Sequence, residues 1–392
     1  MKQHALAVAT IALAVACSDA PSPTVATLDQ VTYAPVAARE PEFIPGRFIV
    51  TLREGANPAG IAREHGVAPD FVYTHALTGF AGRISDAARA GLLRDARVVR
   101  VEQDGIAHKS AIQANATWGL DRIDQRGLPL SKGFAYTSTG VGVTAYILDT
   151  GIRTGHAEFA GRASGGYTAI ADGRGAEDCD GHGTHVAGTV GGTTYGVAKG
   201  VTLVAVRVLD CAGSGSWSGI IAGMDWVAAN HRKPAVANMS LGGGASSSVD
   251  AALQRMIAAG VSTAVAAGNG NRGGRQQDAC GYSPARVPEA ITIGATTQTD
   301  AKTSWSNYGA CVDFFAPGYQ ITSAGITSNT ATATMSGTSM ASPHVAGVAA
   351  LYLAGNPGAT PPQVSSALAA ATTKGVVTSS STANNHLLYT AY

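Results

Sequence analysis

The sequence predicts an α/β fold, in which helices flank a mainly parallel β-sheet and a small α+β domain precedes it. From residue 111 onward, short apolar runs alternate with helix-like segments, and glycine-rich turns separate them. Strands that alternate with helices pair in parallel, and sheets with continuous apolar strands are covered on both faces. The hydrophobic fraction of 45% and the 49 glycines suit close packing and tight turns. At 392 residues, the chain is long enough for more than one domain.

The apolar runs and helical periods of the main domain give its elements in order. The predicted strands are 141–148, 201–208, 235–240, 261–267 and 290–295. The predicted helices are 185–191, 218–230, 249–259, 339–354 and 362–371. Ligands of such folds bind beyond the carboxyl ends of the parallel strands. The polar residues that directly follow the strands are therefore the candidates for function.

The first residues indicate export. Residues 1–17 contain an apolar segment that is too short to span a membrane, which is typical of a signal peptide. Ala14-Val15-Ala16 fits a cleavage site, whereas the same stretch with Cys17 also resembles a bacterial lipoprotein box that would anchor the chain. Both alternatives deliver the chain to a compartment that permits disulfides. Residues 18–41 are rich in Ala, Pro, Thr and Ser and predict a flexible linker.

Residues 42–110 predict the small α+β domain. The strand-like runs are 47–52, 79–84 and 98–102, and the helix-like runs are 59–65 and 85–94. Ser85 is the expected N-cap of the second helix. The pattern by itself does not indicate a function.

Charge and cysteine content exclude some classes of protein. The net charge is +1, and basic residues do not interleave with aromatic ones, so we expect no nucleic-acid partner. Of five cysteines, Cys17 stands apart, and the other four are consistent with two disulfides in any of three pairings: Cys179, Cys211, Cys280 and Cys311. The absence of a C-x-x-C pair argues against a metal site at these cysteines.

The stretch Gly337-Thr338-Ser339-Met340-Ala341-Ser342-Pro343-His344-Val345-Ala346-Gly347 predicts a buried helix of small residues. Serine is a favoured N-cap, so the helix is expected to begin at Ser339, with Pro343 in its first turn. A hydroxyl at the mouth of a buried helix is well placed to act as a nucleophile. The alternative is that Ser339 merely caps the helix.

Three more polar residues stand near predicted strand ends or between glycines. Asp149 follows the strand 141–148, where a carboxylate needs a partner or forms an Asx-turn. His182 lies in Gly181-His182-Gly183-Thr184-His185-Val186-Ala187-Gly188, and a third ligand for a metal is missing, so His185 is expected to be a core histidine. Asn269 either forms a turn or donates to developing negative charge.

These strings resemble the subtilisin family of serine proteases. Asp149-Thr150-Gly151 and the two longer strings occur in the order Asp, His, Ser, which is the subtilisin order. The string Trp118-Gly119-Leu120-Asp121-Arg122-Ile123-Asp124-Gln125 is similar to the proteinase K and aqualysin branch. The resemblance covers residues 111–392 as a peptidase S8 catalytic domain. Residues 42–110 resemble the family's inhibitory propeptide, of the inhibitor I9 type.

The resemblance implies an endopeptidase that works through an acyl-enzyme. Ser339 would attack the scissile carbonyl, His182 would transfer the proton, and Asp149 would orient the imidazole and stabilise its cation. Asn269 and the backbone N–H of Ser339 would form the oxyanion hole. A non-catalytic relative on the same fold, acting as a binding module or inhibitor, is the alternative. The presence of all four residues favours the enzyme.

The resemblance also implies where substrate and propeptide bind. Peptide and protein substrates would pair as an extended strand with two edges: Gly213, Ser214 and Gly215, and Ser240, Leu241 and Gly242. Ser240 to Gly242 and Ala266 to Gly268 would form uncharged pocket walls, so we expect broad specificity with an apolar or aromatic residue before the cut. The propeptide would serve as chaperone and inhibitor until a self-cut at Ser110–Ala111, and the mature enzyme is expected to be a monomer.

Structural Ca²⁺ and two disulfides complete what the resemblance implies. Asp313 with the carbonyls of Pro288 and Ala290 matches the strong calcium site of proteinase K. A second, aqualysin-type site would use oxygen ligands from one loop, which suit a hard cation: Asp121, Asp124, Gln125 and Ser131. The alternative is that these acids only cap turns. The implied disulfides are Cys179–Cys211 and Cys280–Cys311.

Overall fold

The computed structural model describes residues 43–106, 111–271 and 273–392. The predicted signal peptide (1–17), including Cys17, and the linker (18–41) lie outside the described residues, as does Ser110 at the expected cut. Among the described helices, none combines the length and the hydropathy that crossing a bilayer requires.

Residues 43–105 form an α+β unit. Its elements are β1 (Phe43–Leu52), α1 (Pro58–Glu64), β2 (Phe71–Tyr73), β3 (Gly79–Arg83), α2 (Asp86–Leu92) and β4 (Val98–Gly105). The strands form an antiparallel sheet in the order β2-β3-β1-β4. Ser85 caps α2 as predicted, because its Oγ accepts the N–H of Ala88 at 3.2 Å. The short strand β2 was not predicted. A separate hydrophobic cluster fills the unit, including Val50, Ile61, Phe80 and Leu92.

Residues 111–392 form the main domain. Its strands are β5 (Ala111–Ala114), β6 (Gly133–Tyr136), β7 (Thr144–Asp149), β8 (Ala163–Thr168), β9 (Thr202–Arg207), β10 (Ala235–Met239), β11 (Gly243–Gly244), β12 (Val261–Ala266), β13 (Tyr282–Ser283), β14 (Ile291–Thr296), β15 (Phe314–Pro317), β16 (Ile321–Ala324), β17 (Thr332–Met335), β18 (Thr373–Lys374) and β19 (His386–Leu387). Its helices are α3 (Trp118–Ile123), α4 (His182–Gly191), α5 (Trp217–Asn230), α6 (Ser247–Ala258), α7 (Thr338–Gly355) and α8 (Pro361–Ala371), with 3-10 turns at Ala157–Phe159 and Ala279–Gly281.

The large sheet has nine strands in the order β18-β19-β15-β14-β12-β10-β7-β9-β8. All its strand pairs are parallel except β18 with β19, which confirms the predicted mainly parallel α/β fold. After β7, the chain adds β8 and β9 on one side and returns to β10 on the other. This reversal of strand order creates a crevice at the carboxyl edge of the sheet, where β7, β9 and β10 end.

The two faces of the sheet bury separate clusters of apolar side chains. On β7, Ala145 and Ile147 belong to the cluster that includes residues of α4 and α7, whereas Tyr146 and Leu148 belong to the cluster that includes residues of α5 and α6. Alternate residues of a strand point to opposite faces, so an entirely apolar strand is buried on both sides. The helices therefore cover both faces of the sheet next to the strand ends.

The predicted strands and helices of the main domain are present, and most of their ends differ by one to three residues from those predicted. The strands β8 and β15, the helix α3 and the hairpin of β16 and β17 were not predicted. β8 contains the run Ser164-Gly165-Gly166, which weakens a strand pattern, and β15 ends at Pro317. Pairing with β9 and β14 stabilises these two strands despite their sequences.

Two disulfides join loops of the main domain. Cys179 bonds to Cys211 and Cys280 bonds to Cys311, which are the pairs that the resemblance implies. The first disulfide joins the segment just before His182 to the segment just before Gly213. It therefore ties together two loops at the carboxyl edge of the sheet.

Candidate active site

The candidate residues come together at the carboxyl edge of the large sheet. Asp149 is the last residue of β7, and Asn269 follows the end of β12. His182 is the first residue of α4, and Ser339 lies in the first turn of α7. Parallel strands end at one edge, and the two helices begin there, so residues far apart in sequence are brought to the same edge of the sheet.

Asp149 and His182 form a buried pair. The imidazole Nδ1 lies 2.7 Å from Asp149 Oδ1, and because a carboxylate accepts, Nδ1 is the donor. Oδ1 also accepts the N–H of Thr150 at 2.8 Å. Asp149 is fully buried, whereas the His182 side chain is 25% exposed and can meet a ligand. The carboxylate therefore fixes the imidazole tautomer, with the proton on Nδ1 and a lone pair on Nε2.

The glycines beside His182 permit this approach. A Cβ at Gly183 would lie only 2.2 Å from the carbonyl oxygen of Gly151. The beginning of α4 therefore packs directly on the backbone that follows Asp149, as the flanking glycines predict.

The charges around His182 favour its protonated form. Burial alone would lower the pKa of His182, but the charge and hydrogen bond of Asp149 raise it above its ordinary value, with help from Asp180 and Asp178. His185 differs, because its Nε2 donates to the carbonyl of Ile321 at 2.9 Å and burial lowers its pKa to about 4. His185 is thus a core histidine, as expected.

The start of α7 differs from the prediction. Gly337 is the N-cap and Thr338 is the first helical residue, so Ser339 is not the cap. The capping acceptor is Asn269, whose Oδ1 accepts the N–H of Thr338 at 2.8 Å and its hydroxyl at 2.9 Å. A side chain 69 residues away caps the helix, which a local pattern cannot reveal.

Pro343 was also placed wrongly, because it lies inside α7 and not in its first turn. A proline there leaves the carbonyl four residues earlier, that of Ser339, without its helical donor. The hydroxyl of Ser240 donates to this carbonyl at 2.7 Å. A contact from Ser240, which directly follows β10, thus compensates for the missing helical hydrogen bond. The Ser339 hydroxyl itself donates to the carbonyl of Ser240 at 3.2 Å.

The side chain of Asn269 lies beside the start of α7, and Thr338 fixes its orientation. Because Thr338 occupies Oδ1, Nδ2 is turned away from Thr338. A Cβ on Gly337 would lie 3.5 Å from Asn269 Nδ2 and 3.5 Å from the backbone N of Ser339. Both nitrogen atoms therefore border the space next to Gly337, which a side chain at residue 337 would enter.

A cleft of about 650 Å³ contains most of the predicted substrate-binding residues. Its lining includes His182 and both predicted edges: Gly213, Ser214, Gly215, Ser240, Leu241 and Gly242. Thr150, Asp180, Leu209, Trp217 and Ile220 also line it, although the sequence did not single them out. Trp217 and Ile220 lie at the start of α5, and their periodicity resembles that of any amphipathic helix, so they carried no separate signal.

Ala266 and Gly268 do not line this cleft among the described residues. Ala266 is buried within β12. Gly268 has φ +100°, and its N–H donates to the hydroxyl of Thr338 at 3.1 Å. A Cβ there would lie 2.5 Å from Asn307 Nδ2. Gly268 therefore shapes the turn that presents Asn269.

Asp313 precedes β15 and is partly buried next to β14. Its Oδ2 accepts the N–H of Thr292 at 2.8 Å, and burial raises the pKa of Asp313 to about 6. Ala290 directly precedes β14, so its carbonyl lies at the same end of the strand pair. A buried carboxylate beside strand-end carbonyls is a donor set that suits a hard cation.

The loop after α3 uses its acids as hydrogen-bond acceptors. Asp121 Oδ1 accepts the N–H and the hydroxyl of Ser131 at 3.0 and 2.8 Å, and Oδ2 accepts the N–H of Lys132 at 2.7 Å. Gln125 Oε1 also accepts the N–H of Ser131, at 3.1 Å. Asp124 Oδ2 accepts the N–H of Ala135, and Oδ1 is buried without a partner among the described residues. Asp121 therefore caps the turn, and Asp124 Oδ1 is the oxygen left for a cation.

Comparison with known proteins agrees with this fold. The sequence profile of the Subtilase family matches residues 140–387. The extracellular serine proteinase of Thermus sp. (strain Rt41A) is 54% identical, over 96% of each chain. The alkaline serine exoprotease A of Vibrio alginolyticus is 51% identical over 83% of this chain and 61% of its own. The crystal structure of a cold adapted subtilisin-like serine proteinase is 53% identical, with a TM-score of 0.68, over 71% of this chain and 100% of that one.

The chain therefore belongs to the subtilase family, and it is a subtilisin-like serine endopeptidase. Family membership confirms the resemblance that the three strings indicate. It does not favour the alternative of a non-catalytic relative.

Proposed function

We propose that the chain is an exported endopeptidase in which Asp149, His182 and Ser339 form the catalytic triad. The observation that carries the proposal is the 2.7 Å contact between Asp149 Oδ1 and His182 Nδ1 at the edge where α7 presents Ser339. A buried carboxylate that orients an imidazole beside a hydroxyl is the arrangement of a serine protease.

The proposed reaction has two steps. The Ser339 hydroxyl rotates from the carbonyl of Ser240 towards His182, and its oxygen attacks the scissile carbonyl while Nε2 takes the proton. The C–N bond then breaks as His182 returns this proton to the leaving amine, which gives the acyl-enzyme. Water then attacks the acyl carbonyl while His182 takes its proton, and the ester bond breaks as His182 returns this proton to the Ser339 oxygen, which releases the acid product. Asp149 stabilises the imidazolium in both steps.

Negative charge on the substrate oxygen would be stabilised by Asn269 Nδ2 and the Ser339 N–H. Both donor nitrogens border the space next to Gly337, which supports an oxyanion hole there. The donors are held before substrate binds, because Thr338 fixes the Asn269 side chain. Preorganised donors of this kind cost no reorganisation during the reaction.

Specificity is proposed to be broad, with an apolar or aromatic residue before the cut. The cleft is lined by Leu209, Trp217, Ile220 and Leu241, and Asp180 is its one acidic residue among those described. The glycines at both edges carry no side chains that would keep an extended peptide from approaching the backbone. Affinity would then depend on the backbone and on apolar contact.

The domain organisation is part of the proposal. Residues 1–17 would be a signal peptide, 18–41 a linker, 42–110 a propeptide that assists folding and inhibits the enzyme, and 111–392 the catalytic domain, which acts as a monomer. The independent hydrophobic cluster of residues 43–105 supports a separate folding unit. Cys17 offers a lipid anchor if the lipoprotein signal is used, and free secretion is the other outcome.

A change at Asp180 should shift the pH dependence of catalysis. Asp180 is exposed, lines the cleft, and helps to raise the pKa of His182. Asp180→Asn keeps the side-chain oxygen that accepts the His182 N–H but removes the negative charge. The imidazolium loses stabilisation, so its pKa falls, and the acid limb of kcat/KM should move to lower pH by a few tenths of a unit.

The control is the exposed Asp225→Asn, which alters the net charge equally. Profiles are measured at one ionic strength, because salt screens exposed charges. An acid limb that stays in place, or that moves to higher pH, would show that Asp180 does not act on the titrating base.

We propose that Ca²⁺ binds Asp313 with the carbonyls of Pro288 and Ala290. A second ion at Asp124, Gln125 and the loop of Asp121 and Ser131 is supported only by the unpartnered Oδ1 of Asp124. When bound, the ion would neutralise the buried carboxylate and tie two strand ends together. It would take no part in the peptide-bond chemistry.

Chelation should therefore lower Tm. An ion at 100 times its Kd that binds only the folded state stabilises by about 2.7 kcal/mol, which corresponds to several degrees in Tm for a domain of this size. Asp313→Asn should lower Tm in calcium and respond little to chelator. Tm is measured by calorimetry on phosphonylated enzyme, to prevent self-digestion. The proposal fails if Asp313→Asn and Asp225→Asn have the same Tm with and without calcium.

Casein hydrolysis by the purified chain tests the proposed function. Hydrolysis should occur at internal bonds and should stop after treatment with a serine-directed phosphonyl reagent. Protein that folds but leaves casein intact would favour the binding relative instead. Hydrolysis that survives the reagent would exclude an activated serine.

A further inference from the structure

A buried chain of hydrogen bonds connects the middle of α7 to the backbone of Ser339. The Ser342 hydroxyl donates to Asn238 Oδ1 at 2.7 Å, and Asn238 Nδ2 donates to Ser240 Oγ at 2.9 Å. The Ser240 hydroxyl then donates to the Ser339 carbonyl at 2.7 Å. Ser342, Asn238 and Ser240 are 0%, 1% and 4% exposed, so little water competes for these bonds.

The direction of this chain is determined from its last member. A carbonyl only accepts, so the single proton of the Ser240 hydroxyl must go to Ser339. Ser240 Oγ can then only accept from the amino group of Asn238, whose carbonyl oxygen in turn accepts from Ser342. Each link has one possible donor, so the Ser339 carbonyl sets the orientation of the whole chain, and Ser342 is its first donor. Loss of its hydroxyl would leave a buried acceptor on Asn238 unsatisfied.

Pro343 explains why α7 needs this support. The helix cannot bond the Ser339 carbonyl, because residue 343 has no N–H. The turn that presents Ser339 therefore lacks one of its own hydrogen bonds and gains one from Ser240, which directly follows β10. The backbone carbonyl of Ser240 also accepts the Ser339 hydroxyl at 3.2 Å. Residue 240 thus contacts the proposed nucleophile at two atoms, and Asn238 holds residue 240.

We infer that Ser342 and Asn238 are positioning residues for Ser339. They act through Ser240, and they do not touch substrate, because Ser342 and Asn238 are almost fully buried. The inference rests on the proposed role of Ser339 as nucleophile. By keeping the first turn of α7 in place, they fix both the attacking oxygen and the N–H that faces the space next to Gly337. Their removal should slow the chemical step and leave substrate binding intact.

Ser342→Ala tests the inference. Losing one buried hydrogen bond and leaving its acceptor unsatisfied should reduce kcat about 10-fold, and the rate of phosphonylation should fall by the same factor. KM for a peptide should stay within about two-fold, because the cleft is unchanged. The acid limb of the kcat/KM profile should not move, since Asp149 and His182 are untouched. Active sites are counted by the phosphonyl label.

Ser323→Ala is the matched control. Ser323 lies in β16, is equally buried, and its hydroxyl has no partner among the described residues. Removing it deletes the same atom from the core without breaking the chain of hydrogen bonds, so kcat should equal that of the wild type. A loss specific to Ser342→Ala therefore cannot come from the removal of a buried hydroxyl alone.

Ser342→Cys keeps a weak donor at the same place, and it is the second variant if the alanine variant does not fold. If both variants fold, the kcat of Ser342→Cys should lie between those of the wild type and Ser342→Ala. If only Ser342→Cys folds, its kcat should lie below that of the wild type. The inference is overturned if Ser342→Ala or Ser342→Cys matches Ser323→Ala in kcat, or if the loss is confined to KM. Wild-type enzyme that is not labelled at Ser339 would instead refute the proposed function.

Discussion

Replacing Ser339 with alanine should lower kcat for peptide hydrolysis about a million-fold, the scale on which subtilisin responds to loss of its serine. Alanine removes the attacking oxygen and no other heavy atom. The fold should survive, because the Ser339 carbonyl and N–H remain and its hydroxyl makes only a 3.2 Å bond to the backbone of Ser240. Residual activity is measured on a peptide anilide, and Tm is measured by calorimetry.

The same variant should fail to mature. If the triad makes its own cut, Ser339→Ala accumulates as the precursor 42–392, with its propeptide attached. A trace of active enzyme should then trim it at Ser110–Ala111. The experiment uses a host without other proteases, and mass spectrometry maps the N-terminus. Purified Ser339→Ala that already begins near Ala111 would show that another enzyme makes the cut.

Replacing Asn269 with alanine should lower kcat about 100- to 1000-fold and change KM little, as for loss of the same kind of donor in subtilisin. The amide group is proposed to bond the substrate oxygen only when charge develops on it, so its loss affects the transition state more than binding. Part of the loss will come from Thr338, whose N–H and hydroxyl both bond Asn269 Oδ1.

Asn269→Asp separates these two effects. The carboxylate keeps an acceptor for Thr338 but has no N–H to offer the substrate oxygen. It should therefore lose at least as much kcat as the alanine variant. Asn271→Ala, which removes an amide from the exposed part of the same loop, is the control and should retain full activity. An Asn269→Asp variant with near-normal kcat would exclude the oxyanion role.

The fold and most of the site could be predicted because their signals are local. Asp149 and Asn269 stood out as polar residues after apolar strands, which end at one edge of a parallel sheet, although a role in a turn was the alternative for each. His182 stood out by its flanking glycines, and Gly183 does lie against the backbone of Gly151, but the roles of all three residues came from the resemblance to the subtilisin family. These features depend on a few neighbouring residues, and a sequence records them directly.

The contacts that support the nucleophile could not be predicted, because they join distant parts of the chain. Ser342 and Asn238 are 104 residues apart, and Ser240 and Ser339 are 99 apart. Ser339 was a wrong choice of N-cap for the same reason. The side chain that accepts the first N–H of the helix is that of Asn269, which lies 69 residues away in sequence. Periodicity and capping rules describe residues that are near each other in sequence. They cannot predict that the hydroxyl of Ser240, just after β10, replaces the helical donor that Pro343 lacks.

Mapping the residue that a serine-directed phosphonyl reagent modifies tests the central claim most directly. The wild-type enzyme is inactivated, digested and analysed by mass spectrometry, with Ser339→Ala treated in parallel. The account predicts one adduct per molecule, on Ser339, in step with loss of activity, and no adduct on the variant. Complete inactivation with the adduct on another residue, or an equal adduct on Ser339→Ala, would contradict it.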